Sequence, residues 1–148
     1  ADLIPHLAYL EFYDVSYLCM ATHTQVQLCR LLNPLTLGYC PILRLHLVNC
    51  GLGFKGGRLI FEALANNVTM QELHVGGNNF GDATAPFIMQ FLANTDNTLV
   101  VFSLGENGIT EVGMEQMALT IGAHEHLREL HLNGNPIGSK GAGALMNA

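Results

Sequence analysis

Apolar and polar residues recur along the chain in a pattern that repeats about every 28 residues. Four segments begin with a short run in which buried-type residues alternate with others, and the central apolar residue of each run is its anchor. The anchors are Leu45, Leu73, Phe102 and Leu130, separated by 28, 29 and 28 positions. Because side chains alternate between the two faces of a strand, each run predicts a short strand with one face buried.

The second half of each unit predicts a helix. Five residues after each anchor lies a residue that can bond loop backbone left unpaired by the strand, namely Cys50, Asn78, Asn107 and Asn135. Apolar residues then follow at helical spacing: Ile60, Phe61 and Leu64; Ile88, Met89 and Leu92; Met117, Ala118 and Ile121. One unit cannot bury its own apolar face, but a stack of units can. The pattern therefore predicts an α/β solenoid with a parallel sheet on its concave side and helices on its convex side.

The residues before these four repeats predict one further, degenerate repeat. Residues 7–12 indicate a strand anchored by Leu10, and residues 25–32 indicate its helix. Leu10 precedes Leu45 by 35 residues, which predicts an insertion across residues 34–41. We expect one continuous solenoid, with the degenerate repeat in residues 1–41 and four repeats in residues 42–148, the last truncated. Because no polar capping repeat follows, we also expect a fragment or the ordered part of a longer array.

The repeated motif L-x-x-L-x-L-x-x-N/C-x-L-G resembles the ribonuclease-inhibitor class of leucine-rich repeats. The resemblance is close over residues 42–146 and loose over residues 1–41. It implies a right-handed horseshoe. The class includes ribonuclease inhibitors, nucleotide-binding immune receptors, tropomodulin-like actin cappers, the activating protein of the Ran GTPase and structural subunits of cilia. What these proteins share is the use of the horseshoe as a docking surface for other proteins.

Composition narrows the range of partners and compartments. Charged residues make up 12% of the chain, against about 25% in an ordinary soluble domain, which suggests that much of the surface is covered in a larger assembly. The net charge of -6 and the six scattered Lys and Arg residues predict no binding to nucleic acid. The sequence shows neither a membrane span nor a signal peptide. Four cysteines without a C-x-x-C pair indicate thiols in a reducing compartment rather than a zinc site. We therefore expect an intracellular protein, cytoplasmic or cytoskeletal.

Strand residues between the buried positions are predicted to form ladders on the concave surface, because stacked strands lie about 4.8 Å apart. The first predicted ladder is Glu11, His46, His74, Ser103 and His131. The second is Tyr9, Arg44, Glu72, Val101 and Glu129, and the third is Tyr13, Val48, Gly76, Gly105 and Asn133. The predicted protein-binding site consists of Tyr9, Glu11, Tyr13, Arg44, His46, Glu72, His74, Val101, Ser103, Glu129, His131 and Asn133.

The histidines in the first ladder have more than one interpretation. They suit metal ligation or pH-gated binding, and they also suit an ordinary exposed strand position. Because Ser103 interrupts the ladder and a metal site needs a third close ligand, we predict no metal site. The second histidine cluster, His124-Glu125-His126, is interpreted as a solvated turn.

No catalytic motif is recognisable in the sequence. It contains no G-x-S-x-G, no G-x-x-x-x-G-K and no H-E-x-x-H. Residues 51–57 are glycine-rich and precede a helix, as a phosphate loop does, but Gly53 and Gly56 occupy the repeat's own glycine positions. We predict no enzymatic activity, no catalytic residue and no cofactor.

The function that we predict is a protein-interaction scaffold within a larger protein or stable assembly, for example a cytoskeletal or ciliary one. One alternative is the ligand-sensing repeat region of a nucleotide-binding immune-type receptor. Another is a regulator of a small GTPase, for which Arg44 would have to act as the catalytic arginine.

Overall fold

The computed structural model of the protein describes residues 12–14 and 42–148. Five short strands form one parallel sheet in sequence order. They are β1 (Phe12–Asp14), β2 (Arg44–His46), β3 (Glu72–His74), β4 (Val101–Ser103) and β5 (Glu129–His131). Each strand from β2 onward is followed by a helix: α1 (Gly53–Leu64), α2 (Ala85–Leu92), α3 (Glu111–Gly122) and α4 (Gly138–Met146). A 3-10 turn, Asp82–Thr84, leads into α2.

Neighbouring helices pack side by side in one layer, and the strands pair side by side in the other. This arrangement confirms the predicted α/β leucine-rich-repeat solenoid, with the sheet on the concave side and the helices on the convex side. None of the helices in the described residues is both long and apolar enough to cross a membrane.

The first strand lies in a different register from the one that the sequence predicted. Tyr13 pairs with Leu45, whereas the repeat alignment had placed Leu10 there. The alignment was therefore wrong by three residues. The degenerate repeat has no Asn or Cys in the expected position to mark its phase, and strand pairing is decided by hydrogen bonds to β2 rather than by the local pattern.

This shift changes the first residue of each predicted ladder. Asp14 pairs with His46 in place of Glu11, and Phe12 pairs with Arg44 in place of Tyr9. Tyr13 lies in the row of anchors and not in the third ladder. Tyr9 and Glu11, like the helix predicted at residues 25–32 and the insertion predicted at residues 34–41, lie outside the described residues.

The core lies between the sheet and the helices. The anchors Leu45, Leu73 and Phe102 are fully buried, as are the apolar residues two positions after them. Phe61 of α1 is the centre of an aromatic cluster, with ring centroids 5.9 Å from Phe80, 6.0 Å from Phe91 and 6.1 Å from Phe102. Of the predicted core positions on α2, Ile88 is fully buried and Met89 is only partly buried. Phe91, which was not among the predicted positions, is also fully buried.

The Asn residues after the strands bond the turn backbone, as the sequence predicted. The side-chain amide of Asn78 donates to the carbonyl oxygens of Leu47 (2.6 Å) and Val75 (2.8 Å), while its Oδ1 accepts the N–H of Cys50 at 3.0 Å. Asn107 and Asn135 repeat this arrangement. Each Asn therefore joins the turn of its own repeat to the turn of the preceding one.

The glycine-rich segment before α1 has a structural role. Gly53 adopts a φ of 58°, in the left-handed region that favours glycine, and its N–H donates to the carbonyl oxygen of Asn78 at 2.8 Å. A Cβ added at Gly56 would lie 2.6 Å from Cβ of Leu52. Backbone geometry and close packing account for both glycines.

Candidate functional site on the concave face

The concave face is the exposed sheet surface formed by the strand residues on either side of each anchor. Strand pairing places Arg44, Glu72, Val101 and Glu129 in one row and His46, His74, Ser103 and His131 in the other. This confirms the two predicted ladders across β2 to β5. The anchors between the rows point into the core, so the two rows face away from it.

The first row contains an ion pair. Nε of Arg44 lies 3.2 Å from Oε1 of Glu72, and both side chains are partly exposed. Such surface pairs contribute about 0–1 kcal/mol to stability, so the pair defines the charge pattern of the face more than it holds the fold together. The arginine required by a GTPase regulator is thus paired with a carboxylate of this chain.

The second row brings two imidazoles together. The ring centroids of His46 and His74 lie 4.2 Å apart. Oδ2 of Asp14 lies 3.9 Å from Nδ1 of His46. At the other end of the row, Nε2 of His131 lies 3.5 Å from Oε2 of Glu129. Ser103 separates this histidine from the pair.

The environment of His74 disfavours its protonated form. Burial lowers the pKa of the His74 imidazole, the nearby His46 lowers it further, and Glu72 partly opposes the shift. The shift favours the neutral form of His74. A neutral imidazole has a lone pair for a hydrogen bond or a metal.

Two members of the third predicted ladder, Gly76 and Gly105, have no side chain and pack closely against the next repeat. A Cβ added at Gly76 would lie 3.2 Å from the carbonyl oxygen of Gly105, and one added at Gly105 would lie 2.8 Å from Oδ1 of Asn133. The glycines are buried, and Asn133 is exposed. The members of this row that can offer a side chain to a partner are therefore the half-buried Val48 and the exposed Asn133.

Asp14 is a residue of this face that the repeat alignment did not place in any ladder. It is exposed and lies beside His46 at the start of the second row. Its position follows from the pairing of β1 with β2, which the apolar pattern of a degenerate repeat does not reveal.

The second histidine cluster lies in the loop before β5. His126 and Glu125 are exposed, whereas Nδ1 of the half-buried His124 accepts the N–H groups of His126 (3.3 Å) and Leu127 (3.1 Å). Burial lowers the pKa of His124, nearby His126 lowers it further, and Glu125 opposes the shift. His124 therefore has a structural role that the interpretation as a solvated turn did not include.

The asparagines Asn67 and Asn97 perform the same task before β3 and β4. Oδ1 of Asn67 accepts the N–H of Thr69 (3.0 Å) and of Met70 (2.8 Å), and Oδ1 of Asn97 accepts the N–H of Leu99 (2.9 Å). Both asparagines are buried. The glycosylation sequon that begins at Asn67 therefore has its acceptor inside the fold.

Comparison with known proteins agrees with this architecture. The family model described as Leucine Rich repeat matches residues 66–83 and 123–146. The chain is 32% identical over 103 residues to the ribonuclease inhibitor of Sus scrofa, covering 70% of this chain and 23% of that protein. The chain is a leucine-rich repeat protein of the ribonuclease-inhibitor-like type.

One further relative and one solved structure are also similar to this leucine-rich repeat chain. It is 30% identical over 109 residues to NACHT, LRR and PYD domains-containing protein 5 of Bos taurus, covering 74% of this chain and 10% of that protein. The tropomodulin C-terminal domain of Caenorhabditis elegans has the same fold, with a TM-score of 0.70 and 15% identity, covering 84% of this chain and 75% of that domain. The leucine-rich repeat chain spans less than a quarter of the length of the curated relatives it matches.

Proposed function

We propose that this leucine-rich repeat chain is a protein-interaction scaffold that binds a partner protein on its concave face, as part of a larger protein or stable assembly. The observation that carries the proposal is the pair of side-chain rows on β2 to β5, which combine charged, imidazole, hydroxyl and apolar groups on one continuous surface. Among the residues that the structure describes, the helices lie on the other side of the sheet, and none covers this face. Cytoskeletal and ciliary assemblies are examples of suitable settings.

The relatives support a protein as the partner. The pig relative is named an inhibitor of ribonuclease, and a ribonuclease is itself a protein. No nucleic acid is proposed, because the chain carries a net charge of -6 and phosphate binding requires clustered cations. We also propose that the chain has no catalytic activity, consistent with the binding role that this relative's name implies.

The charge of the face indicates the kind of partner surface that fits it. Asp14, Glu72 and Glu129 contribute carboxylates, and Arg44 already neutralises one of them. The half-buried Val101 and the paired imidazole rings add apolar contact area. A partner that presents Lys or Arg around an apolar or aromatic residue would match this arrangement.

An intracellular location, cytoplasmic or cytoskeletal, is part of the proposal. Cys50 is buried with its Sγ 3.6 Å from the carbonyl oxygen of Val48, and the sequon's Asn67 is enclosed. The enclosed Asn67 suits a compartment without N-glycosylation.

The test uses a photo-reactive amino acid placed at single positions before exposure to native extract. Ser103 on the concave face is the test position, and Glu115, which is exposed on α3, is the matched position on the helix side. We expect one covalent partner from position 103 and none from position 115. A partner captured only from position 115 would refute concave-face docking, as would the absence of any partner at both positions.

Binding to the purified partner then tests the charge argument. Glu129→Lys reverses a charge on the concave face, and Glu115→Lys makes the same change on α3. We expect Glu129→Lys to weaken binding at least tenfold and Glu115→Lys to leave the affinity unchanged. Equal effects of the two variants would contradict the proposal.

A further inference from the structure

Three side chains with metal-binding chemistry converge on the concave face. His46 and His74 are paired neighbours on β2 and β3, and Glu72 precedes His74 by two residues on the same face of β3. One ligand atom from each of the three residues lies within 4.8 Å of the other two. The residues come from two different repeats, and only the stacking of those repeats unites them.

We propose that His46, Glu72 and His74 form a binding site for a divalent transition-metal ion of the zinc class. Two imidazole nitrogens and one carboxylate oxygen suit Zn²⁺, Ni²⁺ or Cu²⁺, whereas Mg²⁺ and Ca²⁺ prefer sites made of oxygen. Three ligands leave a fourth position for water or for a side chain of another molecule. The site is thus an addition to the docking function and does not depend on it.

The backbone holds the three residues in place. The N–H of Leu47 donates to the carbonyl oxygen of His74 at 2.8 Å, and the N–H of Glu72 donates to that of Leu43 at 3.0 Å. Metal–ligand bonds of about 2.0–2.2 Å place tetrahedral ligand atoms about 3.4 Å apart. Starting from within 4.8 Å, this geometry requires rotation of side chains and no movement of the strands.

Two charged groups lie beside the ligands. Oδ2 of Asp14 lies 3.9 Å from Nδ1 of His46, and its negative charge favours a cation at the site. Nε of Arg44 lies 3.2 Å from Oε1 of Glu72. Exposed ion pairs of this kind are weak, so a metal ion can displace the arginine from this carboxylate.

This proposal departs from the sequence-based prediction, which excluded a metal for want of a third close ligand. Glu72 belongs to the adjacent ladder and was not considered together with the histidines. The interruption at Ser103 affects only His131, which lies two strands away from His74.

The test is calorimetric titration of the full chain with ZnCl₂ after chelation and desalting. We expect one saturable site, and a loss of affinity of at least tenfold in each of the variants His46→Asn, His74→Asn and Glu72→Gln. Glu72→Gln keeps the size of a half-exposed side chain, so its effect does not come from loss of folding. Circular dichroism of every variant gives an independent check on folding.

Two matched controls separate this site from other histidines. His131→Asn removes an imidazole from the same row, and His126→Asn removes one from the exposed loop. Both should bind Zn²⁺ with the affinity of the parent chain. No saturable binding by the parent chain, or an equal loss in either control, would overturn the proposal. Because no partner is present, these results leave the docking test unaffected.

Discussion

The backbone N–H of Asn78 donates a hydrogen bond to Oδ1 of Asn107, which belongs to the next repeat, at 3.1 Å. The side-chain amide of Asn107 in turn donates to the carbonyl oxygens of Val75 and Leu104, each at 3.0 Å. Both asparagines are fully buried. One side chain therefore satisfies polar backbone on two repeats, and this explains why the repeats stack at a fixed spacing.

Replacement of Asn107 by Ala should destabilise the chain strongly. The buried N–H of Asn78 would lose its acceptor, whereas the carbonyl oxygen of Val75 would keep the side-chain amide of Asn78 as a donor. One unsatisfied buried group costs about 1–3 kcal/mol, so we expect a decrease of about that size in the free energy of unfolding, measured by urea denaturation. The control is Asn66→Ala at an exposed helix end. A loss no larger than in the control would contradict this account.

The aromatic cluster makes a second prediction. Phe61 is fully buried and contacts three other phenylalanines, whereas Phe54 on the same helix is 39% exposed. Phe61→Ala should lower the free energy of unfolding by about 3–5 kcal/mol because it leaves a cavity in the core. Phe54→Ala should have a much smaller effect in the same denaturation experiment. Similar losses for the two variants would show that the cluster does not dominate the core.

Two glycines within helices should respond to alanine in opposite directions. A Cβ at Gly57 would lie 2.8 Å from Cδ1 of the buried Phe80, so Gly57→Ala should destabilise by about 1–3 kcal/mol. Gly143 has no heavy atom within 4 Å of the added Cβ. Gly143→Ala should stabilise α4 by roughly 0.5–1 kcal/mol, since Gly is the more flexible residue in the unfolded chain. Thermal unfolding would measure the change in stability of each variant. A change in the same direction for both variants would refute the packing argument.

The loop histidine makes stability depend on pH. The folded-state pKa of His124 lies below its ordinary value of 6.5 because the site is buried and close to His126, while Glu125 acts in the opposite direction. The unfolded chain therefore binds the proton more readily. His124's contribution is fully present above pH 6.5 and is lost as the pH falls from there through the folded-state pKa.

His124→Asn should reduce this dependence. An Asn Oδ1 can accept the N–H groups of His126 and Leu127 as Asn67 does for its own loop, and it does not titrate. We expect the free energy of unfolding of the variant to fall less than that of the parent between about pH 7.5 and about pH 5.5. His131→Asn is the control and should keep the steeper fall. Identical pH profiles for the His124 variant and the parent would rule out this role.

The turns before the strands show which structural roles local sequence predicts and which it does not. His124 is an example of what local sequence does not show. It lies six residues before its anchor Leu130, as Asn67 does before Leu73, but histidine is not a residue type that predicts a turn acceptor. The polar His-Glu-His sequence suggested a solvated loop, because the sequence does not show which ring nitrogen accepts which backbone N–H.

The sequence by itself determined the repeat, the anchors of β2 to β5 and the asparagines five residues after those of β3 to β5, because alternation along a strand and spacing along a helix are properties of neighbouring residues. Only the tertiary structure decided that Tyr13 pairs with Leu45 and that Glu72 joins His46 and His74. The register of β1 against β2 and the convergence of the three side chains depend on hydrogen bonds and contacts between segments about 30 residues apart. In a degenerate repeat, and across adjacent ladders, the local pattern does not specify those contacts.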